Sequence, residues 1–179
     1  MRLYRLILAK RKVTNTIRRY RLGRSYYQQN LKLIAVWSRK NTEDSNFYYE
    51  LTEHNLLYLA HFIAMVTATK SELALQYFSE LEENNELKNH ILNGFAESNY
   101  EKDIEVSFGR RIGWYAIARI TKPKVVIETG VDHGVGACIL TAALLKNKEE
   151  GFPGQYFGTD ISRSAGQLLT GKYCEVGKI

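Results

Sequence analysis

The sequence predicts an α/β fold, with a parallel sheet near the carboxyl end and a helical region before it, and three observations predict it. Val125, Val126 and Ile127 form a short β-branched run of the kind found in a strand buried on both faces of a parallel sheet, with Glu128 at its carboxyl end. Gly130, Gly134 and Gly136 follow, letting the backbone turn sharply and open a helix whose apolar face is Ala137, Ile139, Leu140, Ala143 and Leu144. Tyr156 and Phe157 read as a second strand ending at Asp160, at about the separation a βαβ unit requires.

Taken in chain order, residues 1–40 hold twelve Lys or Arg and no Asp or Glu, while the remainder holds thirteen against nineteen, so +12 is followed by −6. Arg18, Arg19, Arg21 and Arg24 are interleaved with Tyr20, Tyr26 and Tyr27. Such an arm can bind nucleic acid or an anionic membrane surface, or serve as a transit-type targeting segment. It contains no recognition motif, and a solvated basic extension lying on the acidic remainder is favoured over a nucleic-acid or membrane partner. The apolar stretch before Lys10 is too short for the core of a secretory signal. Asn41 to Asn46 is polar and turn-prone, which predicts a linker and places the arm and linker at residues 1–45.

Residues 46–122 predict helices in series. Leu56, Leu59, Ala60 and Ile63 recur at helical spacing after a capping Thr52, and Ala74, Tyr77, Phe78 and Leu81 do so after a capping Ser71. Leu87, Ile91 and Phe95 continue the pattern. Phe108, Ile112, Tyr115 and Ala116 mark a last helix that ends near Lys122, because Pro123 disfavours helical geometry in the residue before it. Residues 123–179 carry the sheet.

The composition, 45% hydrophobic and 25% charged, is that of soluble globular material, and no apolar run reaches the roughly 20 residues of a membrane span. Cys138 and Cys174 make neither a disulfide framework nor a metal-ligand spacing, so a reducing, cytoplasmic location is expected, with Cys138 a buried and inert thiol. His54 and His61 share no carboxylate at ligand spacing, so no metal is expected. His90 reads as structural or exposed, His133 as loop packing that can also face a ligand, and Trp37 and Trp114 as core or interface aromatics. Arg110 and Arg111 read as exposed helix surface within reach of an anionic substrate.

The glycine spacing decides between ligands. A dinucleotide fingerprint begun at Gly134 and Gly136 needs a third glycine where Ile139 stands, and a triphosphate loop begun at Gly130 meets Val135 rather than Gly-Lys. What remains, Glu128, Gly130, Gly134 and Gly136 in the pattern E-x-G-x-x-x-G-x-G, resembles the first motif of class I S-adenosylmethionine-dependent methyltransferases. The resemblance covers about a third of the chain, and it extends to the strand ending at Asp160, the place where that family has an acidic residue on the ribose hydroxyls. It implies a Rossmann-like methyltransferase fold, S-adenosyl-L-methionine as cofactor, and cofactor contacts at Glu128, Thr129, Gly130, Asp132, Gly134, Gly136, Asp160 and Ile161. A cofactor with a sulfonium and an ammonium and no phosphate suits a loop containing Glu128 and Asp132.

Only 56 residues follow Pro123, too few for two βαβαβ halves, so an incomplete fold is expected, the cofactor-binding front half of a methyltransferase. The positions that bind substrate in the resembled family have no counterpart, and no catalytic residue can be named. A small-molecule or saccharide methyl acceptor and a homo-oligomer are expected. The alternatives are a non-catalytic methyltransferase-like binding module, or a nucleic-acid-associated protein acting through the basic arm.

Overall fold

The computed structural model describes residues 2–39, 51–97 and 106–179; the linker expected at Asn41–Asn46 and the side chain of Trp37 lie outside what it describes. The chain divides into two compact units, Met1–Asn41 and Thr42–Ile179. The first is one helix, α1 (Arg2–Trp37). The second contains α2 (Glu53–Thr67), α3 (Ser71–Glu82), α4 (Asn85–Glu97), α5 (Arg111–Thr121), β1 (Val125–Thr129), α6 (Val135–Glu149), β2 (Gln155–Thr159), a 3₁₀ turn (Gly171–Glu175) and β3 (Gly177–Lys178). This is a mixed α/β architecture, mostly helical, with a small all-parallel sheet in the order β1-β2-β3. Among the described residues no helix is long and apolar enough to cross a membrane.

Local chemistry accounts for the boundaries. Thr52 caps α2 in a reciprocal box with Asn55, as its place before the apolar period predicts. Ser71 does not cap α3. The cap is Lys70, with no side-chain bond, and the Ser71 hydroxyl turns to Glu72 instead, so the helix starts one residue earlier than the capping pattern implies. Lys122 ends α5 in the left-handed region, its amide bonded back to Ala118, and Pro123 then prevents continuation.

The core of the second unit lies between the helices and one face of the sheet. Ile63, Phe78, Leu81, Leu87, Ile91, Tyr115, Ile139, Leu144 and Tyr156 are all buried within it. The helical region and the sheet therefore share one core rather than forming separate units at residue 122, because α5 packs directly on α6 as well as on α2 and α3.

That core includes a charge. Arg119 of α5 is 2% exposed and donates from Nε to Glu80 Oε1 at 2.7 Å, from Nη1 to Asn147 Oδ1, and from Nη2 to Glu150 Oε1. Asn147 in turn donates to the Ala118 carbonyl at 2.8 Å. The guanidinium thus ties α3, α5 and the end of α6 together. Hydrogen bonds from Arg119 and then Lys122 pull the Glu150 carboxyl down to about 2.

The sheet departs from expectation on its other face. Val125 is 54% exposed, Ile127 71% and Phe157 40%, so β1 is buried on one face only. The β-branched run is the same, but α6 packs on the side carrying Tyr156, where Val126 and Glu128 are partly buried, and no described element covers the other. Among the described residues β1 is also an edge strand, paired only with β2.

Two outcomes follow for this unit. Arg119→Ala removes the cation from Glu80 and leaves Glu150 with Lys122 alone, and it should cost about 3 kcal/mol in urea denaturation, the low end for a broken buried pair because both carboxylates keep partial contact with water. Because the folded Glu150 pKa is depressed, wild-type stability should fall as pH drops from about 4.5 through about 2, with a shallower slope in Glu150→Gln. An unchanged midpoint in Arg119→Ala would remove the guanidinium as the tie. Separately, an uncovered apolar face beside an open edge favours association. Light scattering at rising concentration should show self-association of residues 42–179 that Ile127→Lys reduces, and indifference to that change would exonerate the face.

Candidate functional site at the carboxyl ends of the strands

Backbone pairing sets the register Glu128↔Gly158 and Thr129↔Thr159, and the Gly130 amide donates to the Thr159 carbonyl at 2.8 Å. The chain leaving β1 is therefore held beside the chain leaving β2. Gly130 turns with φ 75° and Asp132 with φ 52°, and Gly134, at φ 101°, caps α6. Asp160 closes the arrangement. Its Oδ2 accepts from the Asp132 amide at 2.9 Å and its Oδ1 from the Ser162 amide at 2.8 Å, and these two backbone bonds, Ser162 first, hold its carboxyl below the ordinary range.

Glu128 sits on the covered side of the sheet. Its Oε2 accepts from the Tyr156 hydroxyl at 2.6 Å, and its other oxygen lies against Gly136 in the first turn of α6. Burial pushes its carboxyl pKa up, opposed by the Tyr156 hydrogen bond and by the charge of Arg111. Arg111 thus faces the site electrostatically from the start of α5. Arg110 is exposed.

The eight expected contact residues fall into two groups. Glu128, Thr129, Gly130, Asp132, Asp160 and Ile161 come together at the strand ends, with Thr129, Gly130 and Asp132 exposed and Ile161 fully exposed. Gly134 and Gly136 are buried behind them. A Cβ at Gly134 would lie 3.1 Å from the Cα of Gly166, and one at Gly136 would collide with Glu128 Oε1 and come within 3.1 Å of Trp114 Cζ3. At Gly130 nothing lies within 4 Å. Close approach of a ligand is thus open only at the first glycine, and the other two are required by chain packing.

At Gly134 the neighbour belongs to a segment that no motif announced. Residues 162–170 double back over the loop. The Gly166 amide donates to the Asp132 carbonyl at 2.7 Å and the Leu168 amide to the His133 carbonyl at 3.0 Å, while His90 Nε2 and the Cys138 thiol both donate to the Leu168 carbonyl, at 2.8 and 3.2 Å. His90 is thereby structural. His133 packs edge-on to Phe95 at 6.2 Å between ring centres, which makes it a loop-packing residue. Cys138 is fully buried, its thiol pushed up to about 12 by burial, and is inert as a nucleophile. The exposed His54 and His61 gather no carboxylates, and among the described residues no group of three or more His, Cys, Asp and Glu could hold a metal. A cleft of about 430 Å³ between α3, α4 and α6, lined by Glu80, Glu83, Glu86 and Glu149 with Lys146 and Lys172, lies toward the far end of α6 from the loop.

The glycines should rank by mechanism. Gly134→Val combines an unfavourable φ with a clash against Gly166 and should cost about 1–3 kcal/mol or more of stability, whereas Gly130→Ala meets no neighbour and should cost only about 1–2 kcal/mol for its backbone. Cys138→Ala should lose about 1 kcal/mol. Urea midpoints for the three decide it, and wild-type stability in Gly134→Val would mean that the 162–170 segment does not lie against the loop.

The chain matches no protein-family model, no characterised protein and no solved structure, so what the site can do is argued from its own residues.

Proposed function

We propose that the strand-end site binds S-adenosyl-L-methionine and that the chain is the cofactor-binding part of a class I methyltransferase of Rossmann-like fold. The observation that carries this reading is the meeting of two carboxylates, Glu128 and Asp160, with an open glycine and an uncovered apolar side chain at the carboxyl ends of adjacent parallel strands. Asp160 accepts backbone amides through both oxygens and is only partly buried, so its carboxylate can also meet a vicinal diol. Its lowered pKa keeps it ionised. Ile161 beside it supplies an apolar surface for a flat heterocycle. Glu128 and Asp132 place negative charge where the ammonium and sulfonium would sit, and Gly130 leaves room for the backbone to approach them.

The residues present fit this group by the chemistry of their donors and acceptors. When bound, it supplies an electrophilic methyl group; transfer then needs an acceptor aligned behind that carbon and often nothing more than positioning. The acceptor class is a small molecule or a saccharide, reached from the exposed side of the strand ends. The uncovered sheet face favours a second reading, a module that binds the cofactor without turnover, since the element that would complete that side is not among those described.

Calorimetric titration of the chain with adenosylhomocysteine and with NAD tests the reading, the first being expected to bind more tightly. Asp160→Ala should weaken that binding by about 1–3 kcal/mol, as for a lost hydrogen bond to a charged group. Glu128→Gln should weaken it too while leaving stability at pH 7 equal or higher. The sign follows from the raised folded pKa: the charge costs stability at neutral pH, and wild type gains stability as pH falls through that pKa toward the unfolded value, a gain Gln cannot show. Tighter binding of NAD would refute the proposal.

A further inference from the structure

The first unit is a single helix of 36 residues, and within it the described side chains are exposed or nearly so. In proteins most helical stability comes from packing an apolar face rather than from propensity. One row of apolar residues in α1 has the spacing of such a face, with the exposed Leu22 and Tyr26 lying off it. Val13, Ile17, Tyr20, Tyr27, Leu31 and Ile34 are spaced in alternating steps of four and three residues, with Arg24 filling the one remaining position of the series. Their exposures run from 39% at Ile34 to 68% at Tyr20. A period of 3.5 rather than 3.6 is the signature of a seam that stays facing one partner helix over several turns. The same spacing continues backward in sequence through Lys10 to Leu6 and Leu3.

The basic residues do not obstruct this seam. With Ile17 and Arg24 at a positions and Val13, Tyr20 and Tyr27 at d, Arg18 and Lys32 fall at b and Arg19 at c, on the far side. The flanking e and g positions hold Thr14, Thr16, Gly23, Gln28 and Asn30, with Arg21 the charged exception. Arg24 sets the orientation. In a parallel, in-register pair it would face its own copy, like charge against like charge. In an antiparallel pair whose facing residue numbers add to 37, Arg24 lies opposite Val13 and Ile17 opposite Tyr20.

We propose that α1 is an oligomerisation element whose seam is covered by α1 of a second copy of this chain in an antiparallel two-stranded coiled coil. The pairing is independent of the cofactor reading. Among the described side chains it pairs residues 13–24 of one copy with residues 13–24 of the other, about 18 Å of helix, and it leaves the Arg18, Arg19 and Lys32 flank in water.

Sedimentation equilibrium of the full chain measures the dimer constant. Ile17→Lys should weaken dimerisation at least about tenfold, and Arg24→Leu, which removes the one charge from the described seam, should strengthen it by about as much. Because the two changes act in opposite directions, loss of folding cannot imitate the result. Orientation is read from disulfide trapping in a Cys174→Ser background: a mixture of Ile17→Cys and Tyr20→Cys chains should form the mixed pair, since those positions face each other. A chain that remains monomeric at high concentration, a dimer unchanged by both seam substitutions, or preferential trapping of Ile17→Cys with itself would each overturn the proposal. So would a monomer that binds a single-stranded oligonucleotide with steep salt dependence and loses it on Arg18→Gln and Arg19→Gln, which would assign the helix to a polyanion instead.

Discussion

The carboxylate of Asp160 holds the ends of two strands and the loop between them in one geometry. By accepting from the Asp132 amide it fixes the turn after β1, and by accepting from Ser162 it fixes the start of the chain that folds back over that turn. With the β1–β2 register and the Gly130 bond to Thr159, these two bonds set the geometry of the strand ends. The left-handed Asp132 presents its amide to Asp160 and its carbonyl to Gly166, so one residue in an uncommon conformation satisfies both neighbours. The cost of such a conformation is of order 1 kcal/mol, and two buttressing bonds are enough to hold it.

What the sequence made legible was whatever depends on neighbours close in the chain. The periods of α2 to α4, the Thr52 cap, the Pro123 stop and the turn at Gly130 are local, and they are where they were expected, whereas α5 starts at Arg111 and leaves Phe108, read as part of its period, before the helix. The Arg119 cluster was not legible, because it joins Glu80, Asn147 and Glu150, partners roughly thirty to forty positions away, and a lone arginine in a helix reads as solvent-facing. Nor was the exposed side of β1, since Val-Val-Ile reads the same whether a sheet is covered on one face or two. The segment 162–170 was not legible either: its bonds to the glycine loop run to backbone groups of Asp132 and His133, which every sequence possesses, and its side-chain partners His90 and Cys138 lie far from it in sequence.

The long basic helix illustrates a different kind of oversight. Twelve cations in 40 residues dominate any reading of that region, and charge directs attention to anionic partners. Period and charge are separate properties of one helix, however, and the apolar seam is carried by residues the cations leave free. Arg24 is the one described position where the two properties meet, and it is therefore the residue whose replacement distinguishes them most sharply.

The electrostatics of the glycine loop bear on which ligand it can accept. A helix start ordinarily attracts anions through its free amides and the positive end of its dipole, equivalent to about half a charge. At α6 that place is already taken by a side chain of the protein, because Glu128 lies against Gly136 in the first turn. A pyrophosphate would have to approach a carboxylate that is desolvated and held by Tyr156, adding like charges where the local dielectric is low. A cationic group meets the opposite situation, since it relieves the Glu128 charge of the burial penalty that now raises its pKa. Under the proposed reading, the same desolvation that raises the Glu128 pKa would favour an ammonium beside it, which is why a change to Gln is expected to separate stability from binding.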